Sequence, residues 1–177
     1  MMDILWSGWR SEYISNLPAQ RQSSGQEHPT GSSIFRKILE SEMSDEECFI
    51  IHRGKQVFAI MNSYPYAVGH FMVVPYRQVA DLEALSAEES LELWATVAEA
   101  ASVAKSALSP HGLNIGVNLG AAAGGSVNEH LHVHVVPRWQ GDNNFLVATA
   151  QTKSISEALD VTADRLRRVW QELRAGQ

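Results

Sequence analysis

Short apolar runs alternate with polar breaks through the middle of the chain, and two longer stretches change to a helical period. Cys48 to His52 and Gln56 to Met61 are runs of strand length that flank Arg53-Gly54-Lys55, the pattern of a β-hairpin. Val68-Gly69 leads into His70-Phe71-Met72-Val73-Val74-Pro75, a third strand closed by a proline. From Ser86 to Leu108 the period becomes 3.6. Leu91, Trp94, Val97, Ala101, Ala104 and Leu108 form the apolar stripe expected to be buried, and Ser86 with Glu88 and Glu89 makes a capped, acid-rich first turn. Pro110-His111-Gly112 breaks that helix, and Leu113 to Asn118 reads as a fourth strand. A histidine-rich strand follows the small-residue loop Gly120–Ser126, and Ser154 to Arg174 reads as a final helix with Ile155, Leu159, Val161, Leu166, Val169, Trp170 and Leu173 as its apolar positions. Ahead of all this, Ile34 to Glu40 suits a short helix capped by Ser32 or Ser33. The order predicts an α+β domain with a mostly antiparallel five-stranded sheet, a long helix and a C-terminal helix, the fourth and fifth strands closing as a hairpin.

The first residues differ in kind. Trp6, Trp9 and Tyr13 fall at helical spacing, an aromatic stripe suited to packing on the domain or on a second subunit. Residues 18–33 are rich in Ser, Gly and Gln and read as a linker, with His28 solvated in it. The chain thus divides into an aromatic arm and linker at 1–33, a main domain at 34–150 and a C-terminal helix packed on it at 151–177. A length of 177 residues supports a full core. The net charge of −6 and the lack of any Lys/Arg block disfavour nucleic acid as a partner, and no apolar run is long enough for a membrane span. No signal peptide is expected. The single Cys48 points to a reducing cytoplasm, and its acidic and apolar neighbours disfavour a catalytic thiolate.

Candidate chemistry concentrates in Asn128-Glu129-His130-Leu131-His132-Val133-His134-Val135-Val136-Pro137-Arg138. On a strand, successive side chains point to opposite faces, so Leu131, Val133 and Val135 share a core face and His130, His132 and His134 share the other. Three imidazoles in a row give little useful burial, so that face reads as a site. Two chemistries are open: neutral imidazoles bind transition metals, or one imidazole is a nucleophile and its neighbours orient it. The adjacent loop Gly120-Ala121-Ala122-Ala123-Gly124-Gly125-Ser126 has the small residues that let backbone N–H groups turn toward a phosphate, with Asn118 and Ser126 as polar additions. His52 and His111 read as strand-face and turn residues without chemistry.

His130-Leu131-His132-Val133-His134-Val135-Val136 resembles the signature of the histidine triad (HIT) family. Gly69-His70-Phe71-Met72-Val73-Val74-Pro75 resembles that family's second motif, and Leu113–Gly120 the strand before its phosphate loop. Asn62-Ser63-Tyr64-Pro65-Tyr66 and Ala123-Gly124-Gly125-Ser126 are similar to a bacterial branch containing diadenosine tetraphosphate phosphorylases. The resemblance implies a HIT-like fold and nucleotidyl transfer from dinucleoside polyphosphates. In it His132 is the nucleophile, His130, His134 and His70 support it, Asn118, Gly125 and Ser126 hold phosphoryl oxygens, and Asn62 contacts ribose. It also implies a nucleotide substrate, a homodimer or higher homo-oligomer formed by joining sheets and long helices, and no tightly bound cofactor, with Mg2+ accompanying the polyphosphate. Where many members carry zinc-binding Cys and His, this chain has Ser33-Ile34-Phe35-Arg36 and Arg77-Gln78-Val79, so no structural zinc is expected. Gly125 stands where hydrolase branches usually carry Gln, which suggests phosphate rather than water as acceptor. Hydrolysis of dinucleoside polyphosphates or nucleoside phosphoramidates, and nucleotide binding without turnover, are the alternatives.

Overall fold

The hairpin signal at Arg53-Gly54-Lys55 joins β1 (Ile50–Arg53) to β2 (Val57–Met61), which pair antiparallel. The computed structural model describes residues 31–142 and 157–176, all within one structural unit. The Trp6–Tyr13 stripe, His28 and Ile155 lie outside the described residues. β2 pairs with β3 (Phe71–Pro75), β3 with β5 (Val133–Arg138), and β5 with β4 (Gly112–Val117), so the sheet order is β1-β2-β3-β5-β4 and every pairing is antiparallel.

The two faces of this sheet have different fates. Ala59, Met61, Phe71, Val73, Val133 and Val135 lie in one core with Leu93, Val97, Ala100 and Val103 of helix α2 (Ala87–Leu108) and Leu166 and Trp170 of helix α3 (Leu159–Ala175). On the opposite face Phe58, Ile60, Met72 and Val74 pack with Phe35 of the short helix α1 (Ile34–Leu39). Cross-strand pairing puts His134 between Met72 and Gly116, on this second face. The long helix and the C-terminal helix therefore cover one side of the sheet, and the histidines stand on the other.

Several expectations need correction. The fifth strand begins at Val133, not at the first histidine, so only His134 of the triad lies within the ladder. The Leu131 N–H leaves that ladder and donates to the Val79 carbonyl beyond the end of β3, at 2.6 Å. The alternation of faces still holds, since Leu131, Val133 and Val135 all enter the α2 core. Pro137 does not end the strand, which runs on to Arg138. The buried stripe of α2 is Leu93, Thr96, Val97, Ala100, Val103 and Ala104, whereas Leu91 and Trp94 are exposed. Two apolar series of the same period overlap in this helix, and only the one anchored on Leu93 meets the sheet. Likewise Val161 and Leu173 are exposed on α3, and Thr162 and Ala163 take core places.

Ser86 caps α2 as expected. Its side chain accepts from the Glu89 N–H at 3.1 Å while Glu89 Oε2 accepts from the Ser86 N–H at 2.7 Å, a reciprocal capping box. Ser86→Ala should cost about 1 kcal/mol of stability and lower Tm by about 2–4 °C, read by thermal unfolding with activity unchanged.

Candidate active site

Three strand-like side chains on one face would normally meet solvent, yet His130, His132 and His134 are all buried, as is His70. Burial is tolerable because the polar ring atoms find partners. Those partners also fix where the protons sit.

His130 is held at both nitrogens. Its Nε2 lies 2.8 Å from the Pro75 carbonyl, which can only accept, so Nε2 carries the proton. Nδ1 is then the acceptor, and the Ser33 hydroxyl donates to it at 2.6 Å. The His130 carbonyl in turn accepts from Nδ1–H of His132 at 2.8 Å. That bond places the lone pair of neutral His132 on Nε2, which has no hydrogen-bond partner among the described residues. The Phe35 ring packs against both, its centroid 5.3 Å from His130 edge-on and 5.4 Å from His132.

A second chain of bonds runs through His70. The Tyr66 N–H donates to His70 Nδ1 at 3.0 Å, and Asn62 Nδ2 approaches the same nitrogen at 3.3 Å. In the neutral ring the His70 proton is on Nε2 and points to His134 Nδ1, 3.0 Å away. His134 then carries its own proton on Nε2, which lies 3.3 Å from Asn118 Nδ2. With the Asn118 oxygen turned to accept that proton, its N–H2 group is left for a ligand oxygen. The His132 and His134 rings meet edge to face at 4.8 Å.

Burial lowers the pKa of His130, partly opposed by the Pro75 carbonyl. Burial also lowers that of His132, with the His130 carbonyl pulling it back up. His134 falls to about 4, first through burial and then through the neighbouring His132. All three are therefore neutral imidazoles near pH 7, the form that is nucleophilic.

The loop beyond β4 closes around this cluster. Gly120 and Gly124 adopt positive φ, 73° and 89°, which only glycine takes without strain, and a short 3-10 turn, Ala121–Ala123, lies between them. A Cβ on Gly125 would sit 3.4 Å from Asn118 Cβ and 3.6 Å from Asn128 Oδ1. The loop thus brings Gly125 against Asn118, and Asn118 against His134. Ser126 is exposed at the next position. Asn62 is committed on one side, its Oδ1 accepting from the Tyr64 N–H at 2.9 Å.

Sequence reasoning picked out His70, His130, His132, His134, Asn62, Asn118 and Gly125, and the structure connects them in one cluster. It missed Tyr66, whose ring lies tilted against His70 with centroids 4.6 Å apart and whose N–H fixes that ring's tautomer. Asn128 was missed as well: its Oδ1 is buried without a partner among the described residues. Asn128 falls two places before His130, on the same parity as the histidines, and that was the available signal.

Among the described residues no group of three or more His, Cys, Asp or Glu side chains is disposed to hold a metal ion. A cleft of about 480 Å³ lies on the far side of the molecule, lined by Arg53, Arg167, Arg174, His52 and Trp170 among others. It is a poor anion site, because these arginines pair with Asp45, Asp164 and Glu99. His52 stacks on Trp170 there, 4.5 Å between centroids, as a packing group.

A family model for the HIT domain matches residues 44–141. The chain belongs to the HIT family. It is 45% identical over 166 residues to the AP-4-A phosphorylase of Mycobacterium tuberculosis strain H37Rv, covering 94% of this chain and 83% of that protein. A relative from Schizosaccharomyces pombe, bis(5'-nucleosyl)-tetraphosphatase (asymmetrical), is 34% identical over 52% of this chain and 50% of its own. Among solved structures, a Zn-bound histidine triad family protein from Mycobacterium smegmatis superposes with a TM-score of 0.68 at 25% identity, covering 82% of this chain and 98% of that one. The HIT fold and the predicted antiparallel five-stranded sheet agree.

Proposed function

We propose that the protein is a phosphorylase of dinucleoside polyphosphates, converting diadenosine tetraphosphate and inorganic phosphate to ADP and ATP through a nucleotidyl-His132 intermediate. The observation that carries this reading is the state of His132: Nδ1–H pinned to a backbone carbonyl, Nε2 bearing a lone pair that no other described residue engages. Attack by Nε2 on an α-phosphorus forms a P–N bond and breaks the P–O bond to the bridging oxygen, releasing ATP. The ring becomes cationic as the bond forms, and the His130 carbonyl on Nδ1–H stabilises that charge. A phosphate oxygen then attacks the same phosphorus, the P–N bond breaks, and ADP leaves with His132 neutral again. Dividing one displacement into two in this way is the advantage of a covalent nucleophile. Asn118 N–H2, the Gly125 backbone and Ser126 hold the phosphoryl oxygens, where positioning does most of the work.

Two further points support phosphate as acceptor. The M. tuberculosis relative carries the name AP-4-A phosphorylase. Gly125 places no side chain beside Asn118 and Asn128, where a Gln side chain would crowd an incoming phosphate. Product analysis with and without phosphate tests the reading. ADP plus ATP, at a rate that rises with phosphate, supports it; AMP plus ATP at equal rates rejects it in favour of a hydrolase. Gly125→Gln fills the acceptor space, so the ratio of ADP to AMP should fall about tenfold or more, read by chromatography of the products.

The reading extends to composition and assembly. No structural zinc is proposed, because both His130 nitrogens are already used by Ser33 and Pro75; elemental analysis of purified protein checks it. Mg2+ enters only with the polyphosphate. A homodimer is proposed through β4, an edge strand with exposed Ile115, and through the exposed Leu91 and Trp94 of α2. Sedimentation analysis of the wild type against a Trp94→Glu variant tests that contact.

A further inference from the structure

We propose that Ser33, which lies outside the family-matched segment, is a positioning residue for the nucleophile, acting through His130 on His132. The inference rests on the reading of His132 as nucleophile, but its geometry stands by itself.

Ser33 is almost fully buried, and besides its carbonyl, which accepts from the Lys37 N–H at 3.0 Å, it has three polar engagements, each with a fixed direction. Its hydroxyl proton goes to His130 Nδ1, because the other His130 nitrogen must donate to the Pro75 carbonyl. Its oxygen accepts from the Arg36 N–H at 3.1 Å, capping α1. Its own N–H donates to Gln78 Oε1 at 2.9 Å, and Gln78 Nε2 donates to the Gly31 carbonyl at 3.1 Å. Gln78 follows β3 by three residues, and β3 ends at the same Pro75 whose carbonyl receives His130. The bonds close a ring from Ser33 to His130, to Pro75, along the chain to Gln78, and back to Ser33.

Two things follow. His130 has a single allowed tautomer and its ring cannot turn over without breaking two buried bonds. Its backbone carbonyl, the acceptor for His132 Nδ1–H, is held by the same clamp, together with the Phe35 ring two residues beyond the cap. Loss of the Ser33 hydroxyl leaves His130 Nδ1 buried without a donor, frees the ring to exchange tautomers, and loosens the carbonyl that orients His132. A nucleophile displaced by a fraction of an ångström reacts far more slowly, so the effect falls on kcat rather than KM.

The experiment uses the full-length protein with diadenosine tetraphosphate and inorganic phosphate, together with 15N spectra of the histidine rings without substrate. Ser33→Thr keeps a donor and a cap and should stay within about threefold of wild type. Ser33→Ala should lower kcat about 10- to 100-fold with KM little changed, and the His130 ring nitrogens should move toward averaged shifts. Ser33→Gly keeps a tolerable cap but no donor, so it separates the two roles: its Tm should fall less than that of Ser33→Ala while kcat falls as far. Full kcat in folded Ser33→Ala or Ser33→Gly, or unchanged His130 and His132 shifts in both, overturns the proposal. Should the wild type turn over no dinucleoside polyphosphate, the functional reading fails, and the ring spectra alone decide the positioning role.

Discussion

His132→Ala is expected to lower turnover of diadenosine tetraphosphate by about three orders of magnitude or more while leaving nucleotide affinity within a few-fold. The variant removes the only imidazole of the triad whose Nε2 has no hydrogen-bond partner among the described residues. His130 cannot replace it, since both of its nitrogens are bonded to Ser33 and Pro75. His134 cannot either, since it is fixed between His70 and Asn118. Asn118, the glycine loop and Asn62 remain, so binding survives. Single-turnover kinetics and calorimetric titration with a nucleotide measure the two separately. A variant that keeps more than a few per cent of wild-type kcat contradicts the assignment.

The second large effect is on pH. Folding lowers the pKa of all three triad histidines, so the folded state binds fewer protons than the unfolded chain wherever imidazoles titrate. Turnover should therefore hold its plateau below the ordinary imidazole pKa of about 6.5 and fall only at more acidic pH, when His132 protonates and its lone pair is lost. Stability follows the same sign. It is intact above about pH 6.5 and declines as pH drops from there toward about 4, where His134 finally accepts a proton in the folded state. For His134 alone the loss across that window is on the order of 2–3 kcal/mol. Urea unfolding at pH 7.5 and 4.5 measures it, and His134→Asn should shrink the difference. Equal or greater wild-type stability at pH 4.5 would contradict the inferred burial.

Much of this site was legible in the sequence because period-two alternation is strict: once Leu131, Val133 and Val135 are assigned to the core, the histidines must share the other face. The strand and helix order was legible for the same reason, since each periodic run ends at a glycine, proline or capping serine. Helix faces were less so. In α2 two series of apolar residues share one period, and only the partner surface decides between Leu91 with Trp94 and Leu93 with Ala100. The supporting contacts were least legible. Ser33 reads as a helix cap, and nothing local says that its hydroxyl also reaches a ring 97 positions away. Backbone groups such as the Pro75 carbonyl and the Tyr66 N–H leave no trace in residue identity, yet they set the tautomers on which the chemistry depends.

The most direct measurement is rapid quenching of enzyme with diadenosine tetraphosphate in the absence of phosphate, followed by mass spectrometry of the peptide that carries the triad. A nucleotidyl group bonded to His132, formed within one turnover and discharged as ADP when phosphate is added, is the predicted result. An adduct on His130 or His134, or turnover with no adduct at any time, would contradict the account.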